Sequence, residues 1–319
     1  MRVGVVDIGT NSTRLLVADV DDSRVTELAR RTNVTRLGEG LEAAGRLSEA
    51  AMARVRETLA AYREEIDRLG AELVVAVATS AMRDAENGPA FRDEIGRRFD
   101  IDARTISGDE EARLTFLGAT AGRSPDSATL VIDIGGGSTE YVTGHASADP
   151  DFHVSTRMGS VRHTERHIHS DPPQPAELAA LAEDARATLE TDVPADVRKR
   201  VQTGIAVAGT ATSLAAIDQE LDPYDPERVH GYPLDRAACE RILTRLAALT
   251  VAERRRVPGL HPDRAPTIVA GAVILLESMR TFDLPQIEVS ESDILHGAAL
   301  ASVYRPPPLD PFQGVAKGL

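Results

Sequence analysis

Two phrases in this chain are near copies of each other: VVDIGTNST at residues 5–13 and VIDIGGGSTE at residues 131–140. In each, an apolar run ends in an aspartate, and glycine-rich turn residues lead to Ser-Thr. Asp7 and Asp133 lie 126 positions apart (133 − 7). Apolar runs of this length read as buried strands. An unpaired buried charge is strongly disfavoured, so each aspartate belongs at a strand end, near solvent, a cation or hydrogen-bond donors. The glycines allow a sharp turn and let backbone approach another group closely. The repeat predicts a duplicated α/β unit whose two turns face one cleft.

The remaining pattern fits that expectation. The first half reads as strands at 3–7, 14–20 and 24–31, a helix at 48–69, a strand at 73–78, a helix at 89–99, a strand at 103–106 and a helix at 107–120. The first helix carries Ala51, Val55, Leu59, Tyr62, Ile66 and Leu69 near the 3.6-residue period. The turn-rich GRSPDS at 122–127 closes this half. The second half restarts with a strand at 130–133 and a hairpin of 140–144 with 152–157. A helix at 176–189, a strand at 204–208 and helices near 234–249, 262–281 and 292–304 follow. This gives two α/β domains, 1–125 and 126–291, hinged over a cleft. The helix at 292–304 is expected to cross back to the first domain, and the proline-broken tail 305–319 to be frayed.

Charge and composition narrow the function. The net charge of −14 disfavours nucleic acid as a partner. No apolar run approaches the length of a membrane span, and the chain enters a strand at Met1 without a signal-peptide layout. A cytoplasmic protein is expected. The single Cys239 excludes an internal disulfide framework or a cysteine metal site. No G-x-x-x-x-G-K-[ST] occurs, which excludes a P-loop nucleotide site. Only Lys199 and Lys317 are lysines, so 34 of the 36 basic residues (36 − 2) are arginines. A phosphate held by side-chain charge would be held by Arg or through a cation.

Five short stretches carry residues suited to chemistry. Thr10, Asn11 and Ser12 set hydroxyls, an amide and backbone N–H groups on one curve. Such a curve suits phosphate oxygens or an ordinary polar hairpin turn. Gly135, Gly136, Gly137 and Ser138 exceed what a hairpin needs, which points to backbone approaching a ligand. Asp133 and Glu140 can face the same cleft if that loop folds back, and two carboxylates beside a phosphate suit Mg²⁺; a solvated Glu140 on a strand edge is the alternative. Gly209 and Thr210 begin a helix after a strand, either an anion site or a turn with Thr210 as N-cap. In SGDEEARL, Ser107 and Glu110 fit a capping box, which leaves Glu111 as the carboxylate able to orient and deprotonate water. Arg83 and Asn87 share a face if 80–87 is helical. Arg83 then forks onto a phosphate or pairs with Asp84 or Glu86. The histidines show no metal spacing, and His163, His167 and His169 are expected to be solvated. Arg254, Arg255 and Arg256 read as a solvated helix end or a polymer track.

DIGTNST, TSAMRDAEN, SGDEEARL, DIGGGSTE and AGTATS occur here in one order, and together they resemble the exopolyphosphatase/guanosine pentaphosphate phosphatase (Ppx/GppA) family over residues 2–303. The resemblance implies an α/β fold of two duplicated actin-like ATPase (ribonuclease H-like) domains. It implies Mg²⁺-dependent removal of terminal phosphate from inorganic polyphosphate, or of the 5′ γ-phosphate from pppGpp, with K⁺ a further candidate ion and a homodimer as the assembly. Glu111 matches the family's catalytic glutamate, and Asp133 and Glu140 match the acidic residues that support metal and water, to which Asp7 is added from its place in the repeat. Asn11, Ser12, Arg83, Gly136, Gly137 and Ser138 match phosphate-contacting positions, and Thr10 replaces the commoner Ser. Longer members continue into a helical domain; this sequence resembles the short, two-domain members, so short polyphosphate is the expected substrate. An aromatic content of 3% gives no candidate guanine pocket. A sensor that binds nucleotide without turnover, and an actin-fold sugar or acetate kinase, are the rival classes; the latter typically needs an Asp base, which SGDEEARL does not suggest.

Overall fold

Each copy of the repeated phrase forms a β-hairpin. A computed structural model describes residues 1–21, 24–124, 128–146, 148 and 150–303; the tail from 305 lies outside the described residues. β1 (Arg2–Ile8) pairs antiparallel with β2 (Thr13–Asp21), and β2 with β3 (Arg24–Asn33). After α1 (Leu41–Ala44) and α2 (Glu49–Leu69), β4 (Leu73–Ala78) adds parallel to β1. α3 (Ser80–Asp84), α4 (Gly88–Phe99), β5 (Ala103–Thr105) and α5 (Gly108–Thr120) complete the first half. The first sheet runs β3-β2-β1-β4-β5.

The second half repeats the plan. β6 (Thr129–Ile134), β7 (Thr139–Gly144) and β8 (Phe152–Thr156) form an antiparallel meander. Next come α6 (Ser160–His167), α7 (Pro175–Asp192), α8 (Ala195–Arg200), β9 (Thr203–Val207) and α9 (Ala208–Asp218). They are followed by α10 (Pro226–Val229), β10 (Tyr232–Asp235), α11 (Arg236–Ala247) and α12 (Val251–Arg254). A 3₁₀ turn at Pro262–Arg264, α13 (Ile268–Thr281), β11 (Gln286–Val289) and α14 (Ile294–Val303) end the described chain. The sheet order is β10-β11-β9-β6-β7-β8, with β9 parallel to β6 and β11 parallel to β9. Read from β8 backwards, it matches the first sheet strand for strand, with β10 added at the far edge.

Local chemistry explains the elements that set this frame. Ser48 caps α2, its side chain accepting from the Ala51 N–H at 3.2 Å, and Gly70 closes the helix at φ 67°. The buried stripe Ala51, Val55, Leu59, Tyr62 and Ile66 packs on the first sheet. Each large apolar member contributes roughly 1.5–3 kcal/mol by leaving water. The Tyr62 hydroxyl donates to the Thr13 carbonyl at 2.9 Å and pins the start of β2.

Helices α5 and α14 lie across the boundary expected from sequence. α5 follows the first sheet in the chain, yet its Ala112, Phe116 and Ala119 pack on Val131, Val142, Ile205 and Val207 of the second sheet. A cut at 125 therefore assigns α5 to the wrong sheet. α14 follows the second sheet and buries Leu295, Ala298, Ala299 and Leu300 against Val3, Val5, Leu16 and Ala18 of the first. The two helices touch through Gly118 and Gly297. A Cβ on Gly118 would collide with the Asp293 carbonyl, and one on Gly297 with the Leu114 carbonyl.

Other expectations need correction. Residues 234–249 hold the end of β10 and then α11, and 262–281 hold a 3₁₀ turn before α13. β10 and β11 are four residues each, too short to show alternation. Arg254 is neither a solvated helix end nor a polymer track. It is 2% exposed, and its guanidinium donates to the carbonyls of Leu246 and Ala265 at 2.9 and 3.1 Å. Residues 160–167 form a helix, and His163 within it is buried, not solvated. Among the described residues, no helix is long and apolar enough to cross a membrane.

The helix contact yields a test. Gly297→Ala should destabilise the protein by about 1–3 kcal/mol, because backbone must move to admit the methyl group. Gly96→Ala, inside α4 with nothing closer than 3.9 Å to an added Cβ, should be neutral or stabilising by up to about 1 kcal/mol. Denaturant unfolding of the two variants reads both outcomes; equal stabilities would refute the tight crossing.

Candidate active site

The two hairpin turns meet. In the first, the Gly9 N–H donates to the Ser12 carbonyl at 3.0 Å; in the second, the Gly135 N–H donates to the Ser138 carbonyl at 3.0 Å. A Cβ on Gly136 would lie 3.0 Å from the Asn11 nitrogen, and one on Gly137 would lie 2.6 Å from the Ser80 hydroxyl oxygen and 3.0 Å from that of Thr10. Neither glycine has positive φ, so the lack of a side chain serves close approach, and the approaching group includes the other half of the protein. The Gly135 carbonyl accepts from the Ser160 N–H at 2.9 Å and that of Gly136 from the Val161 N–H at 2.9 Å, which ties this loop to the start of α6.

Between the turns opens a narrow cleft of about 80 Å³. Asp7, Thr10, Asn11, Ser12, Glu111, Asp133, Gly135, Gly136, Gly137, Ser138, Gly209 and Thr210 all line it. Glu140 does not: it is 1% exposed, paired across the strands with Asp133, with Oε1 accepting from the Ser155 hydroxyl at 2.7 Å. Arg83 does not line it either. Its Nη1 donates to the Ile106 carbonyl at 2.8 Å and lies 3.4 Å from Glu111 Oε2, so it holds the glutamate instead of pairing with Asp84 or Glu86. Asn87 lies beyond α3 and bonds the backbone of Leu47 at 2.8 and 3.0 Å, away from Arg83's role. Thr210 is not an N-cap: α9 starts at Ala208, with Val207 as its cap residue. Ala208 has φ 63°, a left-handed backbone that costs roughly 1–2 kcal/mol outside glycine. In SGDEEARL, Ser107 accepts from the Glu110 N–H at 3.1 Å, while the Glu110 side chain pairs with Arg104.

The register of the hairpins sets the electrostatics. Asp7 stands opposite Arg14 on β2, and Asp133 stands opposite Glu140 on β7. Arg14 is therefore the repeat counterpart of Glu140. Its Nε and Nη2 donate to Asp7 Oδ2 at 2.8 and 2.6 Å, and its Nη1 pairs with Asp293. Burial opposes the Arg14 charge, but Asp293 and Asp7 outweigh it and raise its pKa. Asp7 Oδ1 is buried without a hydrogen-bond partner. Asp133 accepts from Thr115 Oγ1 at 3.2 Å. Burial pushes the pKa of Asp133 and of Glu140 well up; for Glu140 the Asp133 charge adds to the effect. Glu111, held in the first turn of α5 and 7% exposed, is raised well above the ordinary value, by burial and then by Glu140 and Asp133.

Residues not singled out from the sequence complete the cleft. Arg264 lines it beside Gly209, where an added Cβ would run into the guanidinium. Among the described residues its side chain has no hydrogen bond or ion pair, and burial with Arg14 nearby lowers its pKa. Asp293, just before α14, anchors Arg14. Arg14 could have been found from its place in the repeat; Arg264, in a proline-broken stretch, gave no such signal. The whole arrangement offers turn hydroxyls and amides and a free guanidinium for anionic oxygens, and a carboxylate cluster for a hard cation or a proton.

Comparisons with known proteins find relatives along nearly the whole chain. The sequence model of the Ppx/GppA phosphatase family matches residues 16–305. Exopolyphosphatase 2 of Mycobacterium tuberculosis is 37% identical over 94% of this chain and 98% of its own. The crystal structure of the Aquifex aeolicus member of the Ppx/GppA family superposes with a TM-score of 0.80 at 31% identity, covering 95% of this chain and 97% of that one. An exopolyphosphatase from Cytophaga hutchinsonii superposes at 0.86 with 28% identity, covering 95% and 98%.

The raised carboxyl pKa values predict a pH effect. In the folded chain these groups hold protons that the unfolded chain releases near the ordinary values of 3.8 for Asp and 4.5 for Glu. Their contribution to stability is complete below those values and is lost as pH rises through the raised ones. With divalent cations chelated, Glu140→Gln should gain stability over wild type between about pH 5 and about pH 8, by at least about 1 kcal/mol. A constant difference across that range, by thermal or denaturant unfolding, would contradict the assignment.

Proposed function

Because this chain belongs to the Ppx/GppA phosphatase family, we propose that it is an exopolyphosphatase that hydrolyses the terminal phosphate of inorganic polyphosphate. Its fold is the duplicated actin-like ATPase arrangement of that family. The observation that carries the proposal is the position of Glu111: a buried carboxylate lining a cleft whose other walls are two phosphate-sized turns and an unpaired arginine.

The terminal phosphates lie against Thr10, Asn11 and Ser12 on one side and against residues 135–138 on the other. Backbone N–H groups and hydroxyls take up their oxygens. Thr10 is already partly engaged, since its hydroxyl accepts from the Ala81 N–H at 3.1 Å; this fixes the turn against α3. Arg264 and the start of α9 at Gly209 and Thr210 receive the next phosphates along the chain. Glu111 orients a water and takes its proton. The like-charged neighbours that raise its pKa make it a better proton acceptor, and Arg83 fixes its carboxylate in place.

The donor set suits Mg²⁺: Asp133, Glu140 beside it, and Asp7, whose Oδ1 has no partner among the described residues, are hard oxygen ligands. Bound there, Mg²⁺ would neutralise phosphate charge that builds up as the phosphoanhydride breaks. Arg14 already neutralises one side of Asp7, so Asp133 is the principal ligand expected.

Three measurements test the proposal. Glu111→Gln should lower kcat by roughly 10²–10⁴ with the fold retained by circular dichroism; near-wild-type turnover would reject the base. Phosphate release from short polyphosphate, long polyphosphate, pppGpp and ATP, each with and without Mg²⁺, should favour short polyphosphate. Preference for pppGpp would reassign the substrate, and binding without release would make the protein a sensor. Arg264→Ala should lower kcat/KM on the order of 10².

A further inference from the structure

α6 has two working faces. One joins the halves of the protein: Arg162 donates to the Gly137 carbonyl at 2.9 Å and pairs with Asp84 at 2.7 Å and with Glu42, while Glu165 accepts from the Gly40 N–H at 2.8 Å. The other face carries His163 and His167, one helical turn apart. Across from them, α7 presents Asp184. Its Oδ2 lies 2.8 Å from His167 Nε2 and 3.5 Å from His163 Nε2, and one ligand atom from each of the three residues falls within 4.8 Å of the others.

A histidine–aspartate hydrogen bond between packed helices would account for His167 alone. It leaves His163 unexplained. His163 is 1% exposed, and among the described residues neither ring nitrogen has a hydrogen-bond partner. Leaving buried polar groups unsatisfied costs roughly 1–3 kcal/mol. Burial also pushes its pKa down to about 4, so the ring is neutral at neutral pH, the form that ligates metals.

We propose that His163, His167 and Asp184 form a site for a first-row divalent transition metal, of which Zn²⁺ is the best fit. Zn²⁺ takes imidazole nitrogen and carboxylate oxygen at about 2.0–2.2 Å in a tetrahedron. Ligand atoms of such a centre are roughly 3.3–3.5 Å apart; Asp184 Oδ2 is already 3.5 Å from His163 Nε2, and its 2.8 Å contact with His167 Nε2 would open slightly to admit the ion. Three protein ligands leave the fourth position to water. Arg166 Nη1, 3.3 Å from Asp184 Oδ2, is the competing cation; it has a second partner in Glu42 at 3.0 Å and can retain that one when metal binds. The site differs in kind from the cleft. Its two nitrogens select a borderline-soft metal, whereas the carboxylates of Asp133 and Glu140 select Mg²⁺. Metal here ties α6 to α7 behind the residues that join the halves.

The experiment uses the full chain, stripped of metal and held in excess Mg²⁺ so that the carboxylate cleft is filled. Titration with Co²⁺ should give one equivalent of binding with the visible absorption of a tetrahedral nitrogen-containing site, and Zn²⁺ should displace it. His167→Ala and Asp184→Asn should weaken binding by at least about 100-fold. Arg166→Gln should bind as well as wild type or better. Zn²⁺ should raise the melting temperature of wild type but not of His167→Ala, a comparison that does not depend on the buried His163 tolerating replacement. No Co²⁺ spectrum in wild type, an undiminished spectrum in His167→Ala, or loss of the spectrum in Glu140→Gln would each overturn the proposal.

Discussion

One cross-strand pairing separates the two halves of this duplicated molecule. At matched positions of the two hairpins, Asp7 faces an arginine and Asp133 faces a glutamate. Opposite charges across a strand pair stabilise it, and like charges do the reverse. The first half thus closes its aspartate into a buried ion pair that extends to Asp293. The second half leaves two carboxylates buried side by side, and Glu111 joins them. A protein tolerates such a cluster when protons or cations neutralise it. The same fold therefore yields an ion-paired hairpin and an acidic one by exchanging a single side chain's sign.

That asymmetry is maintained by helices that do not stay with their own sheets. α5 brings Glu111 to the second sheet, and α14, entered through Asp293, braces the first. Each half supplies the other with a layer of its core and a charge for its site. Arg30 extends the same link, with Nη1 2.8 Å from Glu291. Core and cleft geometry are in this sense one arrangement, since Glu111 and the apolar stripe of Ala112, Phe116 and Ala119 share one helix.

Much of this was legible in the residues. The repeated phrase announced the duplication because strand, aspartate and turn are local features, and Ser48 and Ser107 announced their helices through capping. The residues of both turns, with Asp133 and Glu111, gather as their order suggested. What sequence could not convey was tertiary. Nothing in SGDEEARL says which sheet its helix covers. Arg83 was expected to fork onto a phosphate; what its sequence did not show is that Nη1 bonds the Ile106 carbonyl and reaches the Glu111 carboxylate. Glu140 looked cleft-facing, but it is buried beside Asp133 on the same face of the sheet, with the Ser155 hydroxyl on its carboxylate. Arg264 and the burial of His163 depend on segments folded together from distant parts of the chain, and short strands such as β11 offer too few residues for a pattern.

The crossing at Gly118 and Gly297 has a mechanical meaning. Where two helices meet backbone to backbone, with no side chain between them, sliding is blocked by the grooves but tilting is not. The halves are thus fastened at two points, backbone to backbone at that crossing and by charge where Arg162 grips its two acidic partners beside the facing turns.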